Sequence, residues 1–332
     1  MTDAQIPATV SALVVTAHGG PEVLQLQRVP CPAPGPDDLL VEVTAAGVNF
    51  RDVYERQGIY PGTPPFVAGA ELAGTVLAVG SSVTEFAVGD RVATAQASGG
   101  SHATVALVPA AKAVPVPDYI GLDVAAATML QGMTAHYLVR SSFDVQDGHE
   151  VLIHAAAGGV GQLLVQLAKA SGAHVVATVG SEAKVAIARQ AGADVVIRYD
   201  EVPDLAAAVR SASGGGVHVV YDGVGKSTFD ASLASLLPRG MLVLFGGSSG
   251  QVPPFDLQRL NSGGSLFITR PTLGNYVAER AELLWRASDL FAAIGEGTLK
   301  VAIGGRWPLA AAAAAYHALE SRETTGKLLL IP

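Results

Sequence analysis

Residues 151–161 read Val-Leu-Ile-His-Ala-Ala-Ala-Gly-Gly-Val-Gly: an apolar run that ends in glycines and passes at Val160 into a stretch with helical periodicity. A strand that turns on glycines directly into a helix leaves the first N–H groups of that helix unpaired, beside the positive end of its dipole. Small residues at Ala155 or Ala156 and at Gly158 keep the turn narrow enough for backbone to approach a pyrophosphate, and Gly161 lets the helix pack close to the strand. Alanine holds the first glycine position of the usual Gly-x-Gly-x-x-Gly spacing. The segments beyond residue 161 therefore decide the reading.

From 151 to 269, short apolar strands alternate with helical segments. The spacing predicts strands at 151–154, 174–179, 194–199, 217–221, 241–245 and 265–269, and early helices at 160–170, 182–191 and 204–210. Repeats of this kind require a parallel sheet covered on both faces, since each crossover helix buries one stripe on the sheet. Six strands make the two halves of a doubly wound, dinucleotide-binding sheet, and this gives an α/β fold.

Before residue 120 the chain reads as β structure with dense turns. Val41 and Val43 alternate with Glu42 and Thr44, residues 69–80 form a second strand closed by Gly80, and prolines and glycines punctuate the intervals. Short strands at close intervals predict a small barrel. A helix follows at 122–140, two more at 279–294 and 310–321, and a last strand at 327–331. The short C-terminal remainder has no core of its own and is expected to rejoin the barrel. The expected domains are 1–125 with 272–332, and 126–271.

The cofactor can be read one strand further on. A site for an unphosphorylated nicotinamide dinucleotide places Asp or Glu about 20 residues beyond the loop, on the ribose hydroxyls. Here the strand ends in Gly180, followed by Ser181, with Lys184 one helical turn later. Ser181 can donate to a 2′-phosphate and Lys184 can neutralise it, so NADPH is favoured. Glu182, in the first helical turn, favours the dipole and faces water. Tyr199 is either a flank for the adenine or ribose phosphate or an ordinary strand-end aromatic. Gly223-Val224-Gly225 and the glycines of 245–250 end the fourth and fifth strands, where they serve either close approach to the nicotinamide half or tight turns.

Other classes are excluded. Hydrophobic residues make up 49% and charged residues 15% of the 332, which suits packed cores and not disorder. A formal charge of −8 argues against a nucleic-acid partner. Cys31 is the single cysteine, so no disulfide framework or cysteine-rich metal centre can form. Apolar stretches are interrupted well short of a membrane span, and residues 1–10 lack a basic leader. A cytoplasmic protein is expected.

Asn49-Phe-Arg-Asp-Val-Tyr54, Gly58-Ile-Tyr60, the loop 154–161, Tyr221-Asp222-Gly-Val-Gly225, Phe245-Gly-Gly-Ser-Ser-Gly250 and Thr269-Arg-Pro271 occur in one order along nearly the whole chain. Together they resemble the zinc-free quinone oxidoreductases related to zeta-crystallin, in the medium-chain dehydrogenase/reductase superfamily. The resemblance implies a GroES-like β-barrel domain beside a Rossmann domain, NADPH as hydride donor, a small-molecule quinone or enone acceptor, and a homodimer. Zinc-dependent relatives have cysteine where this chain has Asn49, and Gly-His-Glu where it has Gly69-Ala70-Glu71; no metal is expected.

By the same resemblance Asn49, Asp52, Tyr54 and Tyr60 stand at the interdomain cleft near the nicotinamide. Gly158, Gly159, Val160, Gly161, Gly180, Ser181, Lys184, Tyr199, Val224, Gly246, Gly247, Ser248 and Ser249 surround NADPH. Tyr137, Leu273, Gly274 and Asn275 complete the cofactor wall, with Arg322 and Lys327 as further contacts. Gln131 replaces the usual family lysine before Gly132. Asn49, Tyr54 and Tyr60 are expected to hydrogen-bond the acceptor oxygen, with Tyr54 as the favoured proton donor. Asp52 either orients its neighbours or caps a turn, and Arg51 reads as a solvated strand-end charge or a partner for an anionic substrate. Two alternatives stand beside the quinone reductase: an NADPH-dependent 2-alkenal or enone reductase, and a non-catalytic NADPH-binding protein of the crystallin kind, some relatives of which bind AU-rich RNA.

Overall fold

The computed structural model describes residues 6–332. Residues 1–5, which the sequence reading counts in the first domain and in its search for a leader, lie outside the described residues. The chain divides into two compact units, one running to Leu130 and resuming at Glu279–Pro332, the other being Gln131–Ala278.

The second unit is built on six parallel strands. In spatial order they are Val195–Arg198, His174–Val179, Glu150–Ile153, Val217–Asp222, Leu236–Leu244 and Phe267–Thr269. The chain thus starts in the middle of the sheet, winds outward to one edge, returns and winds to the other. That order puts a reversal point beside Glu150–Ile153, where ligands bind at the carboxyl ends of the strands. Val151, Leu152 and Ile153 are all fully buried, as expected of a strand covered on both faces. Leu152, Val176, Val220 and Leu242 meet Val209 and Leu233 from the helices Leu205–Ala212 and Phe229–Ala234. Each such side chain contributes about 1.5–3 kcal/mol of burial.

Two local features depart from the sequence reading. The fifth strand begins at Leu236, not 241. The helix Leu122–Tyr137 does not continue as α-helix to 140 but widens into a π-turn over Leu138–Ser142. The buried Tyr221 hydroxyl donates to the Leu138 carbonyl at 3.0 Å, an oxygen that also accepts Phe143 N–H at 3.3 Å across the wider turn. The Tyr221 bond is made across 83 residues, out of reach of local periodicity.

The first unit centres on the 11-residue strand Asp38–Val48. It pairs antiparallel with Glu71–Val79, Val105–Pro109 and the C-terminal strand Lys327–Ile331. Ile303–Pro308 lies parallel outside Lys327–Ile331. Register shifts at Leu40/Val41 and Val43/Ala45 bend the long strand, and Leu39, Val41, Leu72, Val92 and Val108 fill the space it encloses. A second cluster gathers Leu13, Val48, Val53, Tyr316 and Leu328 under the helices Phe50–Arg56 and Ala312–Glu320. Arg51 is therefore not at a strand end: it occupies the first turn of Phe50–Arg56, because Asn49 starts a helix there.

Candidate functional site

In the second unit Ala155 turns the chain with a φ of 51°, a left-handed conformation that costs a non-glycine residue about 1 kcal/mol. Gly158 then stands extended before the helix Gly159–Ala170, and no side chain caps that helix. Its first N–H groups are left for an external acceptor. A Cβ at Gly161 would lie 2.8 Å from the Ala156 Cα, so only glycine lets the helix start this close to the turn. A Cβ at Gly159 would lie 2.6 Å from the carboxamide carbon of Gln131. The residue that departs from the family lysine thus packs against the loop, a contact that the sequence does not foretell. An uncapped helix opening behind a turn this narrow, at the reversal point of the sheet, fits a dinucleotide pyrophosphate.

Ser181 precedes the helix Glu182–Gln190 without using its hydroxyl as a cap. Gly180 has no side chain, and Tyr199 fills the space above it; Tyr199 is 45% exposed. Lys184 lies half-buried one turn into the helix. Glu182 is turned outward, its side chain 79% exposed and 3.3 Å from Arg198. A strand end with Ser181, Lys184 and Tyr199 close in sequence or space, and its carboxylate paired with Arg198, suits a phosphate better than a diol.

The Asp222 carboxylate takes N–H bonds from Val224 (2.8 Å) and Gly225 (2.9 Å), fixing residues 223–225 in a tight turn. Ser248 N–H and Ser249 N–H donate to the carbonyls of Gly223 (3.2 Å) and Val224 (2.8 Å). The turns holding Val224 and Gly246–Ser249 are thus joined. Tyr137 is buried and stacks on Tyr276, ring centres 4.2 Å apart and planes within 10°. Tyr276 ends the short helix Leu273–Tyr276, which also holds Leu273, Gly274 and Asn275.

In the first unit Tyr54 and Tyr60 meet edge to face with centres 5.3 Å apart, and Phe50 adjoins Tyr54 at 6.2 Å. Tyr60 N–H donates to the Tyr54 carbonyl at 3.0 Å. Tyr54 is half-buried and Tyr60 exposed.

Asn49 and Lys327 share one buried set of hydrogen bonds. Asn49 Nδ2 donates to Glu71 Oε2 (2.8 Å) and to the Gly47 carbonyl (3.2 Å), while its Oδ1 accepts from Lys327 Nζ (2.6 Å). Both amide hydrogens are thus engaged within the protein. Lys327 is 1% exposed and ion-paired with Glu71. Glu71, absent from the site read in the sequence, joins the set, and its other oxygen accepts Leu130 N–H at 2.6 Å. The signal was a lone carboxylate at the head of an otherwise apolar strand. Arg322 stands exposed at a left-handed position, φ 61°, beyond the helix Ala312–Glu320.

Asp52 Oδ2 accepts Asn49 N–H at 2.9 Å, which secures the start of the helix carrying Tyr54. Burial pushes the Asp52 carboxyl up to about 6, against the lowering influence of Arg51, Asn49 N–H and Lys327. His102 is held down to about 4 by burial. Its Nε2 lies 3.2 Å from the Gly47 carbonyl and its Nδ1 3.3 Å from the Tyr316 hydroxyl. Among the described residues no group of three His, Cys, Asp or Glu side chains is placed to hold a metal ion.

Residues 35–118 match the family of alcohol dehydrogenase GroES-like domains, and residues 159–285 match the family of zinc-binding dehydrogenases. A quinone oxidoreductase of Pseudomonas aeruginosa is 43% identical over 95% of this chain and 98% of its own. A 2-haloacrylate reductase of Burkholderia sp. is 42% identical over 97% of this chain and 99% of its own. The crystal structure of Escherichia coli quinone oxidoreductase complexed with NADPH superposes with a TM-score of 0.95, at 42% identity over 97% of this chain and all of that one.

Proposed function

The chain belongs to the quinone oxidoreductases of the medium-chain dehydrogenase/reductase superfamily, and we propose that it reduces a quinone with NADPH without the help of a metal. The observation that carries this is the uncapped helix behind Ala155–Gly158, at the reversal point of a sheet whose next strand ends in Gly180 and not in a carboxylate. Supporting the absence of metal, Asn49 and Ala70 stand where zinc relatives have ligands, and Asn49 already takes the Lys327 ammonium.

The N–H groups of Gly159, Val160 and Gly161 hold the pyrophosphate. Ser181, Lys184 and Tyr199 take the 2′-phosphate. The turns at Val224 and Gly246–Ser249, with Tyr137 and Leu273–Asn275, face the nicotinamide half. When bound, NADPH supplies a hydride. The Tyr54 hydroxyl, with Tyr60 at its edge, hydrogen-bonds the acceptor oxygen as negative charge develops there and delivers a proton to it. Asn49, Asp52, Glu71 and Lys327 act one step back: they fix the start of the helix from which Tyr54 projects.

Without a Lewis acid, acceptors with low intrinsic barriers are favoured, and a quinone needs little beyond correct placement. A conjugated alkene is the second reading, favoured by the 42% identity to a 2-haloacrylate reductase. We further propose a cytoplasmic homodimer. Phe267, 55% exposed on the edge strand of the six-stranded sheet, supports the dimer. No helix among the described residues is long and apolar enough to cross a membrane.

The test is loss of NADPH absorbance with 1,4-benzoquinone, 9,10-phenanthrenequinone and crotonaldehyde. Faster turnover of either quinone supports the main reading, and faster turnover of the enal selects the second. Cofactor binding without turnover of any acceptor would leave a non-catalytic NADPH-binding protein.

A further inference from the structure

We propose that a buried chain of hydrogen bonds, Thr178–His154–Ser232–Asp222, locks the turn at residues 223–225 to the phosphate-binding loop and so positions the nicotinamide half of the cofactor. The inference rests on the NADPH reading and assigns a role to four side chains that never touch solvent. Thr178, Ser232 and Asp222 are 0% exposed and His154 is 1% exposed.

The directions of the bonds follow from the Asp222 carboxylate at one end and a neutral imidazole in the middle. An ionised carboxylate can only accept. Asp222 accepts from Val224 N–H, Gly225 N–H, Thr228 Oγ1 and, at 2.8 Å, Ser232 Oγ. The single Ser232 hydrogen is thereby used, so Ser232 Oγ must accept from His154 Nε2, 3.0 Å away. His154 Nδ1 then carries no hydrogen and accepts from Thr178 Oγ1 at 2.8 Å. This arrangement of hydrogens satisfies all four groups with a neutral imidazole. Burial lowers the His154 pKa, favouring that form against the nearby Asp222 charge.

The ends of the chain lie on the two halves of the cofactor cradle. Thr178 also receives Ala156 N–H on its carbonyl at 3.1 Å, so it carries the phosphate loop as well as the imidazole. Asp222 holds the turn containing Val224, and its own carbonyl takes Phe245 N–H at 2.9 Å. The Val224 carbonyl in turn receives Ser249 Oγ at 2.8 Å. His154 and Ser232 therefore connect three strand ends that would otherwise meet only through backbone pairing. A network serving only to satisfy buried polar atoms would affect the whole unit alike. A positioning network affects the nicotinamide half and spares the 2′-phosphate site at Ser181, Lys184 and Tyr199.

The protein and its Ser232→Ala, Thr178→Val and Thr178→Ser variants should be titrated calorimetrically with NADPH and with adenosine 2′,5′-bisphosphate, which carries the adenosine and its two phosphates but lacks the nicotinamide half. Ser232→Ala and Thr178→Val should each weaken NADPH about tenfold while the bisphosphate binds within about twofold of wild type. Thr178→Ser, which keeps the hydroxyl, should bind NADPH like wild type. NADPH affinity retained in both deletions, or both ligands weakened alike, overturns the positioning role. Failure of the wild-type protein to bind the bisphosphate would instead bring down the NADPH reading, and this inference with it.

Discussion

Tyr199 occupies the space that a side chain at Gly180 would need: a Cβ there would lie 2.6 Å from the ring carbon that bears the hydroxyl. The phenol is half in solvent and can swing away, so Gly180→Ala should displace it without unfolding the unit. We expect KM for NADPH to rise about fivefold with a melting temperature close to wild type. An unchanged KM would separate Tyr199 from the cofactor.

Lys184→Ala should raise KM for NADPH about tenfold or more and KM for NADH less than about twofold, because only the former carries the 2′-phosphate. Steady-state kinetics with both cofactors decide it. Equal effects would refute the assignment of Ser181 and Lys184 to that phosphate.

Tyr54→Phe keeps the edge-to-face contact with Tyr60 and removes the hydroxyl. If that hydroxyl acts as negative charge develops on the acceptor, kcat falls about 10²-fold while KM for the acceptor moves little. Constant kcat would make Tyr54 a wall of the acceptor site and nothing more.

Lys327 and Glu71 form a buried pair, so removing one charge strands the other. Lys327→Met should cost about 3–5 kcal/mol in urea unfolding. Adding Glu71→Gln should recover part of the loss, since the two residues are coupled. Additive losses in the double variant would show that the pair does not act as a unit.

Asp52 and His102 give opposite pH dependences. The folded Asp52 binds its proton more tightly than the unfolded chain, so its contribution is present at low pH and lost as pH rises from about 4 to about 6. The folded His102 binds its proton less tightly, so its contribution is present above about 6.5 and lost as pH falls towards about 4. Each is worth about 3 kcal/mol, and the two offset. Asp52→Asn should therefore leave a stability that rises, relative to wild type, from about pH 4 to 6.5. His102→Gln should leave one that falls relative to wild type. Urea titrations across that range that gave both variants the wild-type profile would refute the assignment.

The second unit was legible because its signals are local. Glycine after strand, apolar period and strand spacing all act within about 15 residues, and the six strands occur close to where periodicity puts them. The barrel was legible only in part, because its strands are short and their pairing depends on residues far apart. The helix at Phe50–Arg56 went unread because a buried carboxylate three residues into it, not an apolar period, secures its start. Asn49 was read as facing the acceptor because its neighbours in sequence say nothing of Lys327, 278 residues on. Even so, Glu71 and Lys327 each head an apolar strand as a lone charge, and two such charges in one core must find each other.

The strand Lys327–Ile331 lies between Ile303–Pro308 and Asp38–Val48, inside the sheet and not at its edge. During synthesis the barrel consequently waits: its long strand emerges early, yet its neighbour on that side is made only after the whole nucleotide-binding unit. The nucleotide-binding unit is a continuous stretch and can assemble while the rest is still being made. Folding in the cell should thus begin in the nucleotide-binding unit, with the earlier strands needing shelter until Lys327–Ile331 has been made.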